Sequence, residues 1–297
     1  MSESLGTLAI AGLGLMGGSL GLAARRRGLA GAVVGYARRE ETRRRALALG
    51  AVDRVAADPA AAVADADLAV FCVPIFAVCE LIEQCAPHLR AGSIVTDVGS
   101  TKAAIAARAE AALAGTAAAF VGSHPIAGSD RDGIEAADAE LYAGATVIVT
   151  AAAPTAAAAR RVIAFWEALG AATAVMTPAV HDRIMARTSH LPHLMAATLV
   201  AQVCGGGDCP RFCGPGFRDT TRVAGGHAGV WTDIVVSNRE AIAAELAGFS
   251  TGVAALRRLV ESGDQEAIHA FLADVRRRRR ACTADPGEGG APEARLR

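Results

Sequence analysis

Lysine is almost missing from this 297-residue chain: of its 30 basic residues only Lys102 is one, and the rest are arginine. A position that keeps lysine against such a bias is a candidate for a special role, and no lysine chemistry is open to anything after it. Net charge is missing too. The 30 acidic residues balance the 30 basic ones, which argues against nucleic acid or a membrane surface as partner and for a small molecule. No apolar run reaches about 18 residues, so no membrane-spanning helix is expected. Met1 to Thr7 carries neither a basic nor an apolar leader and runs straight into a strand, which points to the cytoplasm. There is no HExxH pattern. Cys204, Cys209 and Cys213 in CGGGDCPRFC match no common zinc spacing. No metal is therefore expected, and reduced, inert thiols are favoured there over a metal or redox site. No internal repeat stands out.

What is present is a sizeable apolar content, 52%, in a chain longer than one compact core usually holds, so two domains are expected. Short apolar runs at 7–11, 32–36, 68–73, 93–97, 119–122, 145–150 and 172–176 read as strands buried on both faces. Helical stretches separate the earlier ones, and this alternation predicts an α/β fold with a doubly wound parallel sheet. After Pro178 only helices are expected, at 178–203, 229–247, 249–262 and 264–281, with a Gly/Pro loop at 205–216. The expected organisation is a nucleotide-binding domain over 1–175, a helical domain over 176–283 and a polar, disordered tail over 284–297.

The run Gly12-Leu-Gly14-Leu15-Met16-Gly17 follows the first strand and opens a helix, the context in which G-x-G-x-x-G binds a dinucleotide. Gly12 permits the turn, Gly14 the approach of a pyrophosphate, and Gly17 the close packing of helix on strand. The helix N-terminus, at Leu15 and Met16, supplies free N–H groups to the anion. About 20 residues further on, an NAD-binding Rossmann domain usually places an acidic residue. This chain has Ala37, Arg38 and Arg39, and guanidinium groups there suit a 2′-phosphate. NADP is favoured over NAD, with the two arginines as solvated helix-start residues the alternative. Val73-Pro74, at the end of 68–73, is expected beside the nicotinamide half, with a plain structural turn as the alternative.

Two further strand ends are polar: Asp97-Val-Gly99-Ser100-Thr-Lys102 and Gly122-Ser-His124-Pro-Ile-Ala-Gly128-Ser-Asp130. His124, just after a buried strand at the sheet's catalytic edge, suits a proton acceptor near neutral pH. Lys102, at an expected helix start, is a compact cation where a guanidinium would be too bulky, and could meet a phosphate or carboxylate, with chance retention about as good a reading. In the helical half, His190 and His193 share one helix face, and Arg218 and Arg222 lie on a polar stretch after a Gly turn, off any regular helix.

Together GLGLMGGSL, DVGSTK, GSHPIAGSD, His181-Asp182, SHLPH and GFRDTTR resemble the prephenate/arogenate dehydrogenases over residues 8 to 240. The resemblance implies a helical dimerisation domain behind the Rossmann domain. It also implies oxidative decarboxylation of a dicarboxylate substrate with hydride transfer to NAD(P), a step in tyrosine biosynthesis. It makes His124 the base, Ser100 its orienting neighbour, His193 a pocket residue and Arg222 the partner of a substrate carboxylate. Asp130 falls where some relatives carry a gating Glu. His190, His181, His227 and His269 are expected on surfaces or in structural hydrogen bonds. A homodimer through the helical domain is expected. The related 4-amino-4-deoxyprephenate activity and a non-catalytic nucleotide sensor remain as alternatives. A β-hydroxyacid dehydrogenase would need a lysine in the helical half, where this chain has none.

Overall fold

The computed structural model describes residues 5–128, 131–151, 156–205 and 209–283. Asp130 and the segment 284–297 lie outside the described residues. β1 (Leu5–Ala11), β2 (Ala30–Tyr36), β3 (Arg54–Val55), β4 (Leu68–Phe71), β5 (Ile94–Asp97) and β6 (Ala119–Phe120) form a parallel sheet in the order β3-β2-β1-β4-β5-β6. The order reverses between β1 and β4, and a crevice opens beyond the carboxyl ends of strands at such a reversal. The crossovers are α1 (Leu15–Arg26), α2 (Glu40–Ala48), α3 (Pro59–Val63), α4 (Ile75–Cys85) and α5 (Ala103–Leu113). All four residues of β4 and of β5 are buried, as expected of strands covered on both faces.

The run at 119–122 is not one strand. It breaks at Val121, and β7 (Gly122–Ile126) leaves the parallel sheet to pair antiparallel with β8 (Thr146–Thr150), which in turn pairs parallel with β9 (Ala172–Met176). His124 therefore lies within a strand, opposite Ile148, and not in a loop after one. α6 (Ala157–Ala168) packs on this second sheet, with Trp166 and Tyr142 fully buried and edge-to-face at 5.2 Å, a geometry that aromatic pairs favour.

The helical half begins with α7 (Pro178–Met185), which Thr177 caps through its side chain. The helix expected over 178–203 is interrupted by a π-turn at Ala186–His190 before α8 (Leu191–Cys204). The expected loop gives way to α9 (Pro215–Thr221), so Arg218 lies on a helix, and Arg222 opens the 3₁₀ turn after it. α10 (Ala228–Ser237), α11 (Arg239–Ser262) and α12 (Gln265–Thr283) complete the chain. The chain divides into two compact units, residues 1–243 and 244–297. Every site residue discussed below belongs to the first. Among the described residues, no helix is long and apolar enough to cross a membrane.

Candidate active site

The Gly-rich turn is built as its spacing demands. Gly12 has φ +104°, which side chains resist, and a Cβ there would collide with the Cys72 carbonyl. A Cβ on Gly17 would strike the Gly12 carbonyl, so the helix could not seat against the strand. Gly14 faces open space and precedes α1, whose first turn holds no acidic residue. Among the described residues no acceptor outside the helix meets the N–H groups of Leu15 and Met16, which are left for an anion. The fully buried Tyr142 donates its hydroxyl to the Met16 carbonyl at 2.7 Å and pins the turn from beneath.

A cleft of about 640 Å³ opens beside this turn. Ala37, Arg38 and Arg39 line one end, and Val73 and Pro74 the other. Arg43 donates to the carbonyls of Ala37 and Arg38 and fixes that rim. Arg38 and Arg39 are exposed and make no ion pair with a described residue. The turn, the free helix end and the unpaired guanidinium groups fit a dinucleotide. Leu15, Met16 and Ser100 line a smaller adjoining cavity.

The densest polar arrangement lies where β5, β7, α5 and α7 meet. His124 Nδ1 is 2.8 Å from His181 Nε2, and His181 Nδ1 is 2.7 Å from Asp182 Oδ1. Asp182 also accepts the backbone N–H of Lys102 at 2.8 Å and of Ala103 at 2.9 Å, at the N-terminus of α5. A carboxylate on a helix N-terminus is favoured by the dipole. Burial would raise the Asp182 pKa, but the bond from His181 and the two backbone N–H groups outweigh it and hold the carboxyl below its usual value. Asp182 is thus an anion that can only accept, so His181 donates from Nδ1 and presents a bare Nε2. His124 must then donate from Nδ1, which leaves its own Nε2 lone pair free. Burial, with His181 and the Lys102 ammonium beside it, keeps His124 well below the ordinary imidazole value and hence neutral.

Sequence reasoning placed His181 among the structural histidines. The structure buries it between His124 and Asp182, hydrogen-bonded to both, a link visible only once α7 packs on α5. Lys102 is corrected in the other direction. It is buried, with Nζ on the Asp97 carboxylate and on the Ser123 carbonyl at 2.8 Å, and is not available to a substrate. His190 is structural: its Nδ1 accepts from the buried Asn238 amide, which also donates to the Asp182 carbonyl. Burial lowers the His190 pKa to about 4.

His193 stacks flat on Trp231, ring centroids 3.3 Å apart, and its Nδ1 is buried without a hydrogen-bond partner among the described residues. The ring meets the backbone of Val223, next to Arg222, so the turn bearing that exposed guanidinium is packed against α8. Arg222 makes no ion pair with a described residue. Trp231 had no signal in the sequence beyond being one of two tryptophans. Among the described residues no group of His, Cys, Asp and Glu could hold a metal.

The family model for the prephenate dehydrogenase nucleotide-binding domain matches residues 20–175, and that for the prephenate dehydrogenase dimerization domain matches 177–274. The chain is 34% identical to a cyclohexadienyl dehydrogenase of Zymomonas mobilis, across 94% of this chain and 96% of that one. It superposes with a TM-score of 0.87 on the crystal structure of prephenate dehydrogenase from A. aeolicus in complex with hydroxyphenyl propionate and NAD+, at 30% identity, covering 95% of this chain and 100% of the other. Synechocystis arogenate dehydrogenase gives a TM-score of 0.80 at 31% identity, with 92% and 98% covered.

Proposed function

The chain belongs to the prephenate dehydrogenase family, and from that premise we propose that it oxidises and decarboxylates prephenate or arogenate, with His124 as the base. The bound nicotinamide supplies the hydride acceptor. Substrate C4 gives up its hydride as His124 Nε2 takes the proton of the C4 hydroxyl. The C1 carboxylate then leaves as CO2, its electron pair completes the aromatic ring, and the proton returns to the phenolic oxygen. No net proton is released. The products are 4-hydroxyphenylpyruvate or tyrosine.

The observation that carries this reading is the His124–His181–Asp182 line, with its free Nε2 at one end and a fixed anion at the other. When His124 gains a proton, the positive charge is shared through His181 toward Asp182, and the imidazolium is stabilised where it forms. Ser100, in the loop after β5, would orient the hydroxyl, His193 would wall the pocket, and Arg222 would pair with a substrate carboxylate. Arg38 and Arg39 favour NADP over NAD. The chain acts as a homodimer through its helical half, in keeping with the dimerization-domain match.

The test is kcat/KM for prephenate and for arogenate with each dinucleotide, on wild type and on His124→Asn. The substitution should lower kcat by roughly 10²–10⁴-fold and leave dinucleotide affinity within about two-fold. Turnover of neither substrate by wild type, or an undiminished kcat in the variant, would overturn the reading.

A further inference from the structure

The cavity of about 320 Å³ beside the nucleotide cleft shares Gly14, Cys72, Val73 and Pro74 with it, so the two adjoin. No Arg, Lys or His is among the described residues that line it, but two carboxylates are, Asp132 and Asp233. Asp132 is exposed, where water and salt screen it. Asp233, on α10, is half-buried. Its side chain makes no hydrogen bond or ion pair with a described residue, and the Ser237 hydroxyl reaches only its backbone carbonyl. A carboxylate without a partner of its own is open to a cation that enters the cavity.

We propose that Asp233 is the counter-charge for the oxidised nicotinamide ring, so that the site discriminates oxidised from reduced dinucleotide. The inference rests on the dehydrogenase reading above and deepens it. The two redox forms share adenine, riboses and phosphates. They differ in that the oxidised ring carries a positive charge and the reduced ring none, so a fixed charge near the ring separates them as a difference of affinities. Such a preference would oppose hydride transfer in a balanced reaction. Here loss of CO2 and formation of an aromatic ring drive the chemistry forward, and weaker holding of the reduced cofactor favours its release, a step that often limits turnover.

The experiment titrates oxidised and reduced dinucleotide separately into the intact protein without substrate, by calorimetry or fluorescence. Asp233→Asn, nearly isosteric, should weaken the oxidised form roughly ten-fold, the scale of one partly buried charge pair, and leave the reduced form within about two-fold. Asp233→Glu should retain the preference. Equal weakening of both forms, or no change in either, would overturn the proposal while leaving the dehydrogenase reading intact. Failure of wild type to bind either form would overturn both. Should Asp233→Asn not fold, the wild type itself decides: raising salt must weaken the oxidised form more steeply than the reduced one, and parallel slopes would refute the assignment.

Discussion

Asp182 touches no reacting atom in the proposed chemistry, yet it decides which nitrogen of His124 is free. Its carboxylate fixes the His181 tautomer, and that ring fixes the next. An asparagine there would present an N–H2 group to donors, lose one of the two α5 backbone bonds and release the tautomer. Asp182→Asn should therefore lower kcat by about 10²-fold or more. It should also move the pH profile, which a merely structural role would not do. In wild type the neutral form of His124 persists well below pH 6.5, so the acid limb of kcat/KM should lie below that value. Without the anchoring carboxylate, the limb should shift. An unchanged limb with only a loss of stability would mean that Asp182 is scaffold. The sequence singles out Lys102 at this scale for a sound reason, the survival of lysine among arginines, but leaves open whether it meets a ligand's anion or is retained by chance. Composition can mark a position that needs a compact cation. Whether the matching anion is a ligand or the chain's own Asp97, five residues earlier, depends on how the loop between β5 and α5 turns the lysine back onto the end of β5.

At the scale of elements, what was legible is what local pattern dictates: the Gly-rich turn, the buried parallel strands and the change to helices near residue 178. What was not legible is which element pairs with which. An apolar run at 119–122 reads the same whether it stays in one sheet or hands over to another, and the hand-over at Val121 is what puts His124 in a strand facing α7. The π-turn at Ala186–His190 was equally hidden, because the run ARTSH carries no Gly or Pro to mark a break in the helix. Such turns often sit at functional sites, and this one separates His181 from His193. Between elements, the bond from Tyr142 to Met16 joins the segment before β8 to the first turn of α1. Tyr142→Phe keeps the packing on Trp166 and removes that bond, at a cost of about 0.5–1.5 kcal/mol. The expected outcome is a several-fold rise in KM for the dinucleotide with kcat nearly unchanged. A fall in kcat with KM constant would show that the turn is not what Tyr142 holds.

At the scale of the molecule, the second compact unit is hard to reconcile with a monomer. α11 has 24 residues and buries only Ile242, which lies before the unit boundary, and no residue of α12 with a described side chain is buried. Phe249, Val253, Leu256 and Val260 recur at spacings of four, three and four, and all are exposed, Val260 to 64%. Residues so spaced share one face of a helix, and helices of this length draw most of their stability from packing such a face. A second copy of the chain is the occupant that the dimerization-domain match points to. Light scattering should then give twice the 30.1 kDa chain mass at micromolar protein. Val253→Glu would bring two carboxylates into the apolar contact, one from each protomer, where an unpaired charge is strongly disfavoured. That variant should run at the mass of one chain, with a lower melting temperature and with helix content largely kept by circular dichroism. A wild type at the single-chain mass would remove the dimer. A variant still at double mass would place the contact elsewhere on the helices and leave the α11 stripe without a partner.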